Sequence, residues 1–274
     1  MTTTAETAAS HAPQEFAVRH VRARPVADAL TITWRNLLNI RRNPQLLVFA
    51  TIQPIVFVLM FRYVFGGSIQ VPGYDHYVDY LMPGIFVQTV VFGSLTTGVG
   101  LADDLQKGLI ERFRSLPMAR SAVLVGRTLA DLLRNIFVVL LMAVMGFIVG
   151  WHVNTNAIAF VAGLALVVAF AYSLSWLFAI VGMYAPNGET AQAASFPILA
   201  PLVFASSAFV SVEKMPGPLR AFAKHQPVSI VVDAVRNLTH GGPTTSNLLQ
   251  SIAWIIAIVA VCAPLAVAKY RRSV

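Results

Sequence analysis

Charged side chains are scarce in this chain: 12% of residues are Asp, Glu, Lys or Arg, against 57% hydrophobic. A soluble domain carries roughly a quarter charged residues and needs them to clothe its core, so the composition indicates a membrane protein. Cysteine is almost missing. Cys262 stands alone inside an apolar run, which excludes an intrachain disulfide and a cysteine metal site. No G-x-x-x-x-G-K-S/T phosphate loop occurs, so ATP cannot be held in the usual way. Neither G-x-S-x-G nor H-E-x-x-H is present. The middles of the apolar runs hold almost no ionisable residue, and the buried relays of an ion-coupled carrier are therefore wanting. Residues 1–26 carry Glu6, Glu15, Arg19, Arg22 and Arg24 without an apolar stretch. They do not form a signal peptide and read as a disordered cytoplasmic tail.

What is present is a series of long apolar runs. A helix crosses the hydrocarbon with about 20 apolar residues, and such runs lie at 46–65, 81–101, 136–150, 157–184, 191–212 and 248–268. The third is short and extends back to about residue 128. In Ser121–Asn135, the positions Leu124, Thr128, Leu132 and Asn135 share one face, with Asp131 and the arginines expected elsewhere. Asp131 stands four residues after Arg127 and three before Arg134, the spacing of an ion-pair cluster. Gln53, Gln88, Thr89, Ser173 and Ser175 are neutral groups suited to joining helices.

The bases are segregated. Fifteen lie before the first run, between the second and third with its approach, and after the sixth. The opposite side holds Arg62, Lys214, Arg220, Lys224 and Arg236, and the loops 66–80 and 151–156 hold none. By the positive-inside rule both termini are cytoplasmic. The net charge of +8 is thus a topology signal and not a nucleic-acid patch.

Three segments outside the runs carry pattern. Residues 27–43 place Leu30, Trp34, Leu37 and Leu38 on one face, with Arg35, Arg41 and Arg42 on the rest, as an interfacial helix would. In the loop 102–120, Leu109–Leu116 can form a short helix with Ile110 and Phe113 together and Glu111, Arg112 and Arg114 elsewhere. Pro117 stops it and Arg120 opens the next helix, a shape suited to docking in a partner's groove. The segment 213–247 reads as two short helices dipping into the outer leaflet, separated by Gln226-Pro227 and ended by Gly241-Gly242-Pro243. Asp233 and Arg236, three apart on the second, are expected to face each other. His76, His225 and His240 lie too far apart in sequence to indicate a metal site.

These segments support a family. Glu111-Arg112-Phe113-Arg114-Ser115-Leu116-Pro117-Met118-Ala119-Arg120, and His225-Gln226-Pro227-Val228-Ser229 followed by Val235-Arg236, resemble the ABC type-2 exporter permeases of the actinobacterial daunorubicin/doxorubicin-resistance type, over nearly the whole length from Trp34 to Arg272. The resemblance implies an all-α integral membrane fold of the type V exporter kind, with 27–274 as one transmembrane domain. Its parts are six transmembrane helices, an N-terminal interfacial helix, a cytoplasmic coupling helix and an external re-entrant hairpin. It further implies two copies of a partner ATPase, seated against Leu109–Arg120 and the helix 27–43 and binding the ATP and Mg. A second permease, identical or homologous, completes the transporter. This chain would bind no cofactor of its own. In such a protein Gln226, Pro227, Asp233 and Arg236 belong to the external hairpin. The cargo implied is an amphipathic drug, lipid or related compound, and Phe196, Phe204 and Phe209 fit an apolar one. A glycan-exporting permease of the same fold and an ATP-independent membrane scaffold or enzyme are the alternatives.

Overall fold

A computed structural model describes residues 25–65, 71, 73, 74, 76–109 and 120–272. The tail before residue 25 and the candidate docking residues Glu111, Arg112, Phe113, Arg114 and Pro117 lie outside the described residues. Among those described, all the regular secondary structure is helical. In order the helices are α1 (Pro25–Arg42), α2 (Pro44–Met60), α3 (Tyr77–Gln106), α4 (Arg120–Ile148), α5 (Ala157–Tyr184), α6 (Gly188–Phe204), α7 (Gly217–His225), α8 (Pro227–His240) and α9 (Thr244–Arg272). A π-helical turn, Phe61–Phe65, prolongs α2. Among the described residues, four helices are long and apolar enough to cross a membrane: Tyr77–Gln106, Ala122–Ile148, Ala157–Tyr184 and Thr244–Tyr270. The apolar stretch Ala50–Val64 is shorter.

The centre of the bundle is the pair α3 and α5. Lipid tails are as apolar as leucine, so close packing rather than hydrophobic transfer must join these helices. The sequence allows it by placing glycines where the backbones meet. A Cβ on Gly98 would run into the Phe178 carbonyl, and one on Gly182 into the Gly98 carbonyl. Ser94 adds a hydrogen bond across the pair, its hydroxyl donating to the Ala171 carbonyl at 3.0 Å. Around this seam Phe86, Met142, Phe170, Leu174 and Phe178 are fully buried. The outer helices turn apolar side chains away from the bundle: Phe137, Leu140 and Val144 on α4, and Leu249, Ile256, Val261 and Leu265 on α9. Such surfaces suit a hydrocarbon solvent.

Several elements depart from the sequence reading. The fifth apolar run is helical only to Phe204, not to Val212, because the backbone beyond it finds its partners elsewhere in the bundle. The spacing in α1 did not mark the face that packs on the bundle, which consists of Ala29, Ile32 and Thr33. These side chains sit against Gly126 of α4, and Thr33 donates to the Gly126 carbonyl at 3.0 Å. Leu30 and Trp34 point outward at 58% and 63% exposure, while Leu37 and Leu38 are half-buried. Asp131 joins the buried face of α4 with Leu124, Thr128 and Asn135 instead of lying off it. The reason is a partner on α3: Thr97 donates to the Asp131 carboxylate at 2.6 Å.

Candidate functional site

Polar groups inside an apolar bundle must be answered locally, and here they gather at its two ends. At one end, the stretch 205–211 after α6 is irregular and buried at Ser206, Ser207 and Ala208, so its backbone there needs outside partners. Gln226, at the junction of α7 and α8, donates through its amide nitrogen to the Leu202 and Ala205 carbonyls at 3.0 and 3.2 Å. The Ser207 carbonyl accepts from the Tyr80 hydroxyl at 3.1 Å and from Arg236 at 2.9 Å. The Phe209 carbonyl accepts from the Tyr77 hydroxyl at 3.1 Å. The Ser207 amide donates to the Ser229 hydroxyl at 3.1 Å. Pro227 opens α8 in its first turn, where a missing N–H costs nothing.

Arg236 is the hub of this plug, with 6% of its surface exposed. One guanidinium nitrogen donates to Asp233 at 2.7 Å, two reach the Tyr80 carbonyl at 3.3 and 3.2 Å, and the plane lies over the Tyr80 ring at 3.8 Å. Asp233 also accepts from the Ser207 hydroxyl at 2.8 Å. Burial pushes the Asp233 carboxyl above its ordinary value, with Arg236 and Ser207 pulling the other way. Nearby, the Trp151 indole N–H and His240 Nε2 lie 3.3 Å apart, and the Asp79 carboxylate accepts from the His152 backbone at 2.9 Å. Burial lowers the His240 pKa, against the opposing pull of Asp79. Segments far apart in sequence are thereby knitted into one cover.

At the other end, the close of α3 carries two adjacent acids with different partners. Asp103 accepts from the Gly188 amide at 3.0 Å and so caps α6. Asp104 pairs with Arg127 of α4 at 2.5 Å and with Arg35 of α1 at 3.7 Å. Arg134 lies 3.5 Å from Asp131 and donates to the Gly93 carbonyl at 2.6 Å and to the Thr96 hydroxyl. The expected cluster of Asp131 with both arginines is therefore divided, because Arg127 turns to Asp104. Between α1, α2, α3 and α4 these groups line a cavity of about 670 Å³, with Arg42 and Lys107 at its walls. A second cavity of about 220 Å³ shares Ala50, Thr96 and Arg134 with the first and extends toward Gln88 and Asn135.

Of the residues singled out from sequence, Gln226, Pro227, Asp233 and Arg236 come together in the plug. Arg35 and Arg42 reach the wide cavity, whereas Trp34 and Arg41 are exposed on α1 away from it. Arg120 begins α4. Sequence reasoning missed Asp103, Asp104, Thr97, Tyr77 and Tyr80. An acid pair closing an apolar run, opposite arginines on the next helix, was the available signal for the first two.

Comparison with known proteins gives this arrangement a family. The model of the ABC-2 type transporter family matches residues 28–239. A daunorubicin resistance ABC transporter permease protein of Streptomyces coeruleorubidus is 33% identical over 93% of this chain and 89% of its own. A probable doxorubicin resistance ABC transporter permease protein of Mycobacterium tuberculosis is 27% identical, covering 90% of each chain. A putative transport permease of Cyanophora paradoxa is 21% identical over 78% of this chain and 74% of its own. The chain belongs to the ABC-2 type transporter family and is a multi-pass membrane permease subunit, without an ATPase of its own, that works with an ABC ATPase.

Proposed function

We propose that this permease exports an amphipathic drug, lipid or related hydrophobic compound from the cytoplasm or inner leaflet. The observation that carries the reading is an asymmetry. Among the described residues, the base-rich end of the bundle lines cavities of about 670 and 220 Å³, while at the other end a hydrogen-bonded plug covers the backbone after α6. Under the positive-inside rule the open end faces the cytoplasm and both termini lie there, which makes this an inward-facing arrangement. The similar permeases described as conferring daunorubicin or doxorubicin resistance support an amphipathic cargo. The narrow, largely apolar inner cavity disfavours a glycan chain.

Six spans complete the topology. The helix α2 with its π turn is about 33 Å long, and α6 is about 26 Å long at 1.5 Å per residue. The irregular stretch after α6 extends its span at depth because the plug satisfies its backbone. The hairpin α7–α8, with Gln226, Pro227, Asp233 and Arg236, closes the outer end and moves when cargo leaves. Tyr80 and Ser207 are bonded to it and must move or exchange partners with it. The segment 27–274 acts as one transmembrane domain. Two ATPases bind ATP and Mg, pair with two permeases, and press on Glu111, Arg112, Phe113, Arg114, Pro117 and Arg120 and on α1 with Trp34, Arg35, Arg41 and Arg42. The Asp103 and Asp104 contacts pass that push to α6, α4 and α1.

Reversal of the docking charges tests this. Arg112→Glu with Arg114→Glu weakens co-purification of the ATPase and abolishes export while the permease still reaches the membrane. Wild-type association and export in that variant contradict the coupling role.

A further inference from the structure

Where α8 ends, one histidine stands between a fixed donor and a fixed acceptor. His240 is the last residue of α8, and the Trp151 indole N–H donates to its Nε2 at 3.3 Å. An indole nitrogen can only donate, so Nε2 is the accepting nitrogen and the proton of the neutral ring sits on Nδ1. Trp151 has little room to give way. It is 2% exposed and packs on Phe86, Phe147 and Phe160, with ring centroids 5.3, 5.4 and 5.8 Å away.

On its other side the ring meets α3. Pro83 lacks the N–H that would otherwise answer the Asp79 carbonyl one turn earlier. Burial holds the His240 pKa below its ordinary value, while the Asp79 carboxylate, and the Asp79 backbone as an acceptor, pull it upward. Among the described residues, the other groups near the imidazole come from three places. Tyr74 packs edge-on at 5.4 Å. Arg236 on α8 and His152 in the loop after α4 oppose a positive charge on the ring. Asp233, two turns back on α8, is held by Arg236 and Ser207. His76 reaches only His152, at 6.2 Å between ring centroids.

A neutral His240 suits both neighbours, and a charged one does not. A proton on Nε2 sets N–H against N–H and leaves the buried indole without an acceptor. The charged ring is drawn instead to the Asp79 carboxylate, which accepts from the His152 amide at 2.9 Å. The loop and α8 are joined at two further points. The Asn154 amide donates to the Thr239 carbonyl at 2.9 Å, and the Thr155 hydroxyl to the Leu238 carbonyl at 2.6 Å. Losing the Trp151 bond therefore loosens this junction without severing it, as a reversible switch requires.

We propose that His240 is a proton-operated latch on the outer cover: neutral, it ties the end of α8 to Trp151, and protonated, it turns to Asp79 and loosens the hairpin. The latch rests on the reading that this hairpin closes the outer end, so the proton arrives from outside and acid there favours opening.

The test uses the full chain in lipid nanodiscs, with Trp34→Phe, Trp176→Phe and Trp254→Phe leaving Trp151 as the only indole. An adjacent imidazolium quenches indole emission. On acidification the emission should fall in one transition centred below the ordinary histidine value of 6.5. His152→Gln and His76→Gln should keep that transition. His240→Gln should abolish it, because an amide offers Trp151 an acceptor without taking up a proton. Hydrogen exchange of the unmodified chain, corrected for the intrinsic effect of pH, needs no substitution and so holds if a variant fails to accumulate. Protection at residues 151–156 and 235–240 should drop about threefold to tenfold from about pH 7.5 to about pH 5, the worth of one hydrogen bond, with 157–184 unchanged. A transition that survives in His240→Gln would belong to Asp233 or another group and would overturn the latch. Emission and exchange that stay flat with pH would overturn it too. ATP-driven uptake with the ATPase is scored separately. Uptake without the transition discards the latch alone, and the transition without uptake discards the export reading alone.

Discussion

Replacing Arg236 by Met isolates the plug's central charge while keeping a long side chain. The substitution removes the 2.7 Å bond to Asp233, the donors to the Tyr80 and Ser207 carbonyls, and the stack on the Tyr80 ring. Hydrogen bonds to charged groups are worth about 1.5–3 kcal/mol each, and breaking a buried pair costs about 3–5 kcal/mol. The lower end of that range applies, because the Asp233 side chain keeps 39% exposure and also holds Ser207. The Ser207 carbonyl also retains the Tyr80 hydroxyl. A loss of about 2–4 kcal/mol follows, which corresponds to roughly 4–16 °C in apparent melting temperature for a chain of this size. Fluorescence-detected size exclusion after a heat challenge measures it in detergent. Asp233→Leu on the Arg236→Met background recovers part of the loss, since removing both members of a pair spares the uncompensated charge. An Arg236→Met protein as heat-resistant as the wild type would refute the reasoning, and the hairpin would then be only loosely laid on the bundle.

Other outcomes are expected elsewhere. Asp104→Asn releases Arg127 and Arg35, each partly exposed, and should cost about 1–2 kcal/mol. Proteolysis at α1 in detergent should accelerate, and an unchanged rate would show that the Gly126 contact alone holds that helix. His240 has a folded-state pKa below its ordinary 6.5, so its neutral form belongs to the native state. Its contribution is present above about pH 6.5 and declines as pH falls toward the folded pKa. Melting curves between about pH 5 and 8 should therefore drop on the acid side in the wild type and drop less in His240→Gln. A single cysteine at Ser115 in a Cys262→Ser background should resist an impermeant thiol reagent in intact cells and react once the membrane is opened. Labelling from outside would reverse the assigned topology.

Four of the six expected spans were legible because hydrocarbon imposes a length and a composition that a sequence cannot conceal. Ala157–Tyr184 coincides with its apolar run. The ends of α8 were also readable, since Pro227 suits the first turn of a helix and Gly241 adopts a backbone φ of 91° after the last turn. The end of α6 was not. Hydropathy continues to Val212, while the helix stops at Phe204 because Tyr77, Tyr80, Gln226 and Arg236 offer its carbonyls partners from distant segments. Local periodicity carries no record of such long-range bonds. The same limit hid the partner of Arg127, which the i, i+4 spacing assigned to Asp131 and the fold assigns to Asp104. The face of α1 that packs on the bundle was not read at all, because the apolar spacing picks out Leu30 and Trp34, which face outward as an interfacial face would, whereas Ala29, Ile32 and Thr33 approach Gly126 closely.

The most direct measurement of the transport account is ATP-driven uptake into inside-out membrane vesicles containing this chain and its ATPase. 6-Acetyl-2-naphthol serves as the cargo mimic. The account predicts accumulation that requires ATP and both subunits and that disappears when Arg112 and Arg114 are reversed to Glu. Uptake of equal size by vesicles holding this chain alone, or without ATP, would contradict it.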